Sequence, residues 1–248
     1  MKILISGALG HMGREVAVQA KAAGMDIVGG VDVAQGTADF PLHASFADAP
    51  GADVVIDFSR PDSLEQLLAY CKAHHTPAVL ATTGYTDEQL GHIDAAAKEI
   101  AIFRSGNMSL GIALLRALAR KAAQVLGDGF DVEIIEAHHN RKVDAPSGTA
   151  LMLYDAVKDA YDEPREALYG RHGRDAKRRK QEIGIHALRG GTVTGEHEVC
   201  FFGTSERIKV SHSAENRSVF ASGALKAAAF LVGKEPGLYS MDDVVGKL

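Results

Sequence analysis

From Lys2 to about Phe103, short runs of consecutive apolar residues alternate with longer amphipathic stretches. The runs are Ile3–Ile5, Ile27–Val31, Val54–Phe58, Ala78–Ala81 and Ile100–Phe103. Runs this short, apolar on adjacent rather than alternate positions, predict strands buried on both faces. Between several of them lie Ala-rich segments with helical spacing, notably His11–Ala23, Ser63–Ala73 and Asp87–Lys98. Strand–helix–strand alternation of this kind predicts a parallel sheet covered by helices, an α/β domain of the Rossmann type.

The pattern then changes. A helical stretch over Ser109–Leu126 stops at Gly127-Asp128-Gly129, and strand-like segments follow at Asp131–Ala137, Ile183–Leu188, Glu196–Phe202 and Arg207–His212. Arg207-Ile208-Lys209-Val210-Ser211 alternates polar and apolar, as an antiparallel strand with one wet face does. One helix, roughly Thr149–Tyr161, interrupts the set. Ser222–Leu231 is again helical, and Met241–Lys247 is expected to form a last short helix. The expected organisation is a parallel-sheet α/β domain from residues 1–108 and 217–248. Inserted into it, residues 109–216 are expected to form a second, α+β domain with a mixed sheet.

Composition narrows the class of function. With 46% apolar and 24% charged residues in 248, the chain reads as globular rather than disordered. No apolar run approaches the ~18 residues of a membrane-spanning helix, and the first run stops at Ser6-Gly7, too short for a signal peptide. A net charge of −5 argues against a general nucleic-acid binder. Cys71 and Cys200 have no neighbouring Cys partner, so a disulfide or zinc framework is not expected and a reducing cytoplasm is the simplest compartment. The basic stretch Arg171–Lys180 lacks interleaved aromatics and reads as a solvated, mobile loop, with attraction of an anionic ligand as the alternative.

Gly7-Ala8-Leu9-Gly10-His11-Met12-Gly13 directly follows the first strand and opens a helix. Glycines there let a pyrophosphate approach the backbone, and the free N–H groups of the helix start bind it. The spacing is G-x-x-G-x-x-G, with Ala8 in place of the commoner middle glycine. Asp32 ends the second strand nineteen residues past Gly13, near the ~20 expected of an acid that binds the adenosine ribose. An acid there repels a 2′-phosphate, and Val33 beside it is no cation, so NADH is expected in preference to NADPH. Two later strand ends, Ala81-Thr82-Thr83 and Ser105-Gly106-Asn107-Met108, are expected to face the same cofactor, although ordinary loop chemistry explains either one singly.

The segment from Glu136 to Ala150 is the most informative. His138, His139, Arg141 and Lys142 put four cationic groups within five residues, and Pro146-Ser147-Gly148-Thr149 then opens a helix. The first N–H groups of that helix and the Ser147 and Thr149 hydroxyls suit a carboxylate. A metal reading of the adjacent histidines lacks a Cys or carboxylate at ligand spacing, so no metal is expected. A plain surface turn is the remaining alternative.

On these residues the chain resembles the dihydrodipicolinate reductase (4-hydroxy-tetrahydrodipicolinate reductase) family of lysine biosynthesis. The likeness spans nearly the whole chain: Gly7–Gly13, Ala81–Gly84, Glu136–His139, Lys142–Leu151, Leu188–Gly191, Gly195–His197, Ser211–His212, Phe220–Ala224 and Gly233–Tyr239. The resemblance implies an NAD(P)H-dependent reduction giving tetrahydrodipicolinate, a cyclic dicarboxylate, on the diaminopimelate route. It implies that His138 is the catalytic acid/base and Lys142 the proton donor. It likewise makes His139, Gly148 and Thr149 substrate-binding, and Gly7–Gly13, Asp32, Ala81–Thr83 and Ser105–Met108 cofactor-binding. Many members carry Arg where this chain has Val33. A homotetramer assembled through the second domain's sheet, over Glu196–His212, is also implied. His197 and His212 fit either site residues or satisfied sheet histidines. Another two-domain dehydrogenase would want a catalytic Cys or metal, and a nicotinamide-sensing regulator would have no use for the His138–Thr149 cluster.

Overall fold

A computed structural model describes residues 1–246, which divide into two compact units. The first comprises Met1–Ser109 and Ser218–Val245; the second is built from Leu110–Arg217.

In the first unit, β1 (Lys2–Ser6), β2 (Asp26–Val31), β3 (Leu42–His43), β4 (Val54–Asp57), β5 (Ala78–Leu80) and β6 (Ala101–Arg104) come from the N-terminal segment. The returning segment adds β12 (Gly237–Tyr239), and the seven form one sheet in the order β12-β6-β5-β4-β1-β2-β3. Every pairing is parallel. Helices α1 (His11–Ala22), α2 (Leu64–His74), α3 (Asp87–Ala96), α6 (Ser218–Leu231) and α7 (Met241–Val245) belong to the same unit.

Both faces of this sheet are covered, which is why its strands are apolar on consecutive positions. Leu4, Val55, Leu80 and Ile102 on one face pack with Leu64, Leu67 and Leu68 of α2 and Ile93 of α3. The intervening Ile3, Ile5, Ile56 and Phe103 are equally buried. On that side α6 lies over β4, β5 and β6 and against α1, with Phe230 edge-on to Phe103. Close approach of α6 depends on Gly223, since a Cβ there would fall 1.6 Å from the Met108 carbonyl oxygen. Helix α3 is entered through a capping box in which Thr86 and Gln89 satisfy each other's backbone N–H groups, worth about 1 kcal/mol.

The second unit holds β7 (Asp131–His138), β8 (Glu166–Tyr169), β9 (Glu182–Arg189), β10 (Gly195–Phe202) and β11 (Arg207–Ala214). Their order is β11-β10-β7-β9-β8, antiparallel at β10–β11 and β10–β7 and parallel at β7–β9 and β9–β8, a mixed sheet. Helices α4 (Leu110–Leu126) and α5 (Gly148–Lys158) cover one face, packing Ile112, Leu115, Leu153 and Val157 onto Val132, Ile134, Ile183, Ile185, Val199 and Phe201. The other face has no helix over it within the unit. Its apolar residues include Leu188, 52% exposed, and Phe202, 37% exposed.

Several elements differ from expectation. Strands β3, β8 and β12 were not anticipated, being edge or near-edge strands of two to four residues, and α6 begins at Ser218 rather than Ser222. The Arg171–Lys180 stretch is not freely solvated either. Arg171 turns inward to pair with Glu133 at 3.0 Å and with the buried Glu182. Arg178 reaches Glu133, Asp131 and the Val132 and Glu182 carbonyls. Paired acids on β7 and β9 draw these two arginines down, which charge counting along the chain does not reveal. The last helix ends at Val245; Lys247, where it was expected to extend, lies outside the described residues. No helix among the described residues is long and apolar enough to cross a membrane.

Candidate active site

The first unit gathers its candidate residues at one edge. Gly7–Gly13, Asp32, Ala81–Thr83 and Ser105–Met108 follow the carboxyl ends of β1, β2, β5 and β6 in a parallel sheet, where ligands of such sheets bind. Gly7 adopts φ +74°, and a Cβ on it would sit 2.6 Å from the Phe58 carbonyl oxygen. A Cβ on Gly13 would fall 2.1 Å from the Gly7 oxygen. The turn is thus as tight as the glycines permit. Gly10 caps α1 without a side chain and no acid stands in its first turn, so nothing from the cap competes with an anion there. These features fit a dinucleotide's pyrophosphate.

Asp32 is tied to this turn, its carboxylate accepting the Leu9 N–H at 2.9 Å and the Ala34 N–H at 2.9 Å. Val33 beside it is almost wholly exposed. Ala8, Gly13, Thr82 and Met108 are buried and shape the loops from inside, whereas Gly10, His11, Thr83 and Gly106 are exposed. Ser105 donates its hydroxyl to the Asn107 carbonyl at 2.7 Å, and Asn107 Oδ1 accepts the Ser109 N–H at 2.8 Å, closing the turn after β6. The end of β4 went unnoticed in the sequence. Asp57-Phe58-Ser59 leaves the sheet between β1 and β5, and Ser59 donates to the buried Asp57 carboxylate. Its signal was present, since Val54–Phe58 is one of the apolar runs and its end must lie beside the others.

The second unit collects the other set around the end of β7 and the start of α5. On the helix-facing side of β7, Val132 and Ile134 are followed by Glu136 and His138, so an apolar stripe turns polar where the strand ends. Glu136 is fully buried. Arg189, opposite His138 on the neighbouring β9, grips Glu136 in a two-pronged pair, NH1 to Oε2 at 2.7 Å and NH2 to Oε1 at 2.8 Å. Oε1 also accepts the Ser147 N–H at 3.0 Å, and Oε2 lies 2.6 Å from His138 Nδ1. Burial alone would raise the Glu136 pKa, but Arg189, His138 and the Ser147 N–H outweigh it and hold the carboxyl below its ordinary value. Removing Arg189 would strand a buried carboxylate, at a cost of about 3–5 kcal/mol.

Ser147 caps α5: its hydroxyl oxygen accepts the Ala150 N–H at 3.2 Å and lies 3.1 Å from His197 Nε2. That hydroxyl is therefore engaged on both sides within the protein. Gly148, the exposed first residue of α5, would have open space around an added Cβ. Thr149 stands next on the same turn, partly buried.

Lys142 Nζ pairs with Asp144 Oδ1 at 2.7 Å, and the lysine side chain is mostly covered. Burial lowers the His139 pKa, and the cations Arg141 and Arg217 push the same way. Arg217 was not singled out in the sequence, since only the fold brings the end of the unit near His139. Glu136 and Arg189 were likewise given no role there, though both lie in the quoted motifs, and His197 was left open between a site residue and a satisfied sheet histidine.

Two family models match in succession: "Dihydrodipicolinate reductase, N-terminus" over residues 1–108 and "Dihydrodipicolinate reductase, C-terminus" over residues 111–245. The chain is 49% identical over 249 aligned residues to the 4-hydroxy-tetrahydrodipicolinate reductase of Caldanaerobacter subterraneus subsp. tengcongensis, covering 100% of this chain and 99% of that one. It is 47% identical to the Clostridium novyi protein of the same name, covering 98% of each. Among solved structures, the dipicolinate-bound dihydrodipicolinate reductase from Paenisporosarcina sp. TG-14 superposes with a TM-score of 0.81 over 99% of both chains. At 22% identity that likeness speaks for the fold. Sheet order, strand-end loops, the His138–Thr149 segment and full-length identity converge, and the chain belongs to the dihydrodipicolinate reductase family.

Proposed function

We propose that this protein is an NAD(P)H-dependent oxidoreductase, a 4-hydroxy-tetrahydrodipicolinate reductase yielding tetrahydrodipicolinate. Near-half identity along the entire length of a reductase so named carries the reading. Both halves of the required chemistry are represented in the fold: a glycine turn at a helix start for a dinucleotide, and a cationic helix start for a dicarboxylate.

The nicotinamide, when bound, supplies a hydride. The chain's residues do the rest. The open N-terminal turn of α5, at Gly148 and Thr149, receives a ring carboxylate through backbone N–H groups. Arg141 and Arg217, the cations around His139, add positive field to the same anion, while His139, kept neutral by burial and by them, offers it a ring nitrogen. Asp144 holds the Lys142 ammonium, which delivers a proton to the ring carbon next to the one reduced. His138 stabilises charge developing on the ring and exchanges protons.

A Lys142→Ala variant is expected to lose at least about 100-fold in kcat, with NADH affinity nearly unchanged. The assay follows NADH oxidation at ~340 nm with the product of an aldolase-type synthase as substrate. Near-normal turnover of the variant would overturn the role of Lys142, and no turnover by the wild type would overturn the reaction. NADH is the preferred donor in this reading, because Asp32 is tied to the glycine turn and exposed Val33 offers a 2′-phosphate no cation. Equal or better kcat/KM with NADPH contradicts that preference. Four copies assemble, in the same reading, through the helix-free face of the second unit's sheet.

A further inference from the structure

We propose that Glu136 is a positioning residue for His138: it holds the ring with its Nδ1 proton turned inward, so that Nε2 is the nitrogen offered to the ligand, while Arg189 keeps the carboxylate aimed. This rests on the reading of His138 as the acid/base.

The assignment follows from counting donors around one buried group. Arg189 NH2 and the Ser147 N–H both point at Oε1, and Arg189 NH1 points at Oε2. All three can only donate. A carboxylate in that setting is an acceptor, so the fourth contact, His138 Nδ1 at 2.6 Å, is a donor as well. The neutral ring then has its lone pair on Nε2. Nothing about the Arg189–Glu136 fork needs the histidine, since both oxygens already have guanidinium partners. The histidine is what gains from the arrangement.

The surroundings of the ring support the same orientation. His197 stands edge-on to His138 with ring centroids 5.2 Å apart, its own Nε2 engaged by Ser147. It is a wall and not a partner for Nε2 of His138. Across from β7, Gly195 of β10 is the residue whose Cβ would come within 3.1 Å of that Nε2. Glycine there leaves the nitrogen uncrowded. Glu136 also holds the Ser147 N–H, so one carboxylate sets both the imidazole and the start of α5 in a single frame.

Imidazole 15N spectra of the full-length protein at about pH 8 test this directly, with the His138 signals assigned by their loss in His138→Gln. The expected pattern is a protonated Nδ1 and an unprotonated Nε2. The opposite tautomer in the wild type overturns the proposal, whatever the activity. Glu136→Gln supplies the second measurement. A glutamine must set its NH2 against at least one obligate donor, and where it faces His138 it asks Nδ1 to accept. The variant is expected to move the His138 spectrum toward Nε2–H and to lower kcat at least tenfold, with KM and NADH affinity within about threefold of wild type. An unchanged His138 spectrum with unchanged kcat overturns the role. If the variant fails to fold, the wild-type tautomer decides. Absence of turnover in the wild type would instead remove the proposed reaction and leave the tautomer result standing.

Discussion

His197 sits between the His138 ring and the Ser147 hydroxyl, and burial, reinforced by the charge of His138, pushes its pKa from 6.5 to about 4. In the unfolded chain the same imidazole takes its proton near 6.5. Between those values the unfolded state therefore binds the extra proton and the folded state does not. Stability is full above pH 6.5 and drains as pH falls toward 4. From pH 7 to pH 5 this one group removes about 2 kcal/mol. His197→Asn is expected to lack that part of the slope in urea unfolding at the two pH values; identical slopes in variant and wild type would refute it. Legibility at this scale is uneven. His138, Lys142 and the glycines stand out because their residue types are unusual where they occur. Glu136 and Arg189 lie 53 positions apart, and neither reads as a pair until β7 and β9 align. The break in the β7 stripe, Val132, Ile134, Glu136, His138, was the available clue.

At the scale of elements, the strands of the first sheet are legible because burial on both faces leaves no polar position to blur them. The end of β1 follows from glycine, at Gly7, where no side chain fits. β3, β8 and β12 defeat this reading for a common reason: a strand of two to four residues has no period, and its pairing with a neighbour already in place defines it. The start of α6 is set by tertiary contact too. Gln19 of α1 donates to the Ser218 carbonyl at 2.9 Å, fastening the helix four residues before its predicted start at Ser222. The Arg171–Lys180 stretch is the plainest case of context overriding composition. Its charge run reads as solvated, yet Glu133 and Glu182 fold two of its arginines onto the sheet.

For the whole molecule, the unpartnered face of the second sheet is the feature with most left to explain. Leu188 and Phe202 remain exposed on it, and a cleft of about 350 Å³ opens along β7, β10 and β11. A tetramer burying this face predicts a sedimentation mass of four chains, and a monomer at micromolar concentration would rule it out. The net charge of −5 says little about either candidate site, because the fields that matter are local: a helix start in one unit, a helix start with cations in the other. The order in which the chain is made adds a constraint of its own. The first unit is interrupted by the second, and α6 and β12 are what cover β4–β6 and extend the sheet beyond β6. A ribosome releasing this chain from its N-terminus delivers the whole second unit before those pieces. Throughout that interval the inner face under Phe103 lacks Phe230 and the edge of β6 is unpaired. The nascent first unit is left for that time with a sticky, half-built flank, the kind of surface that chaperones bind.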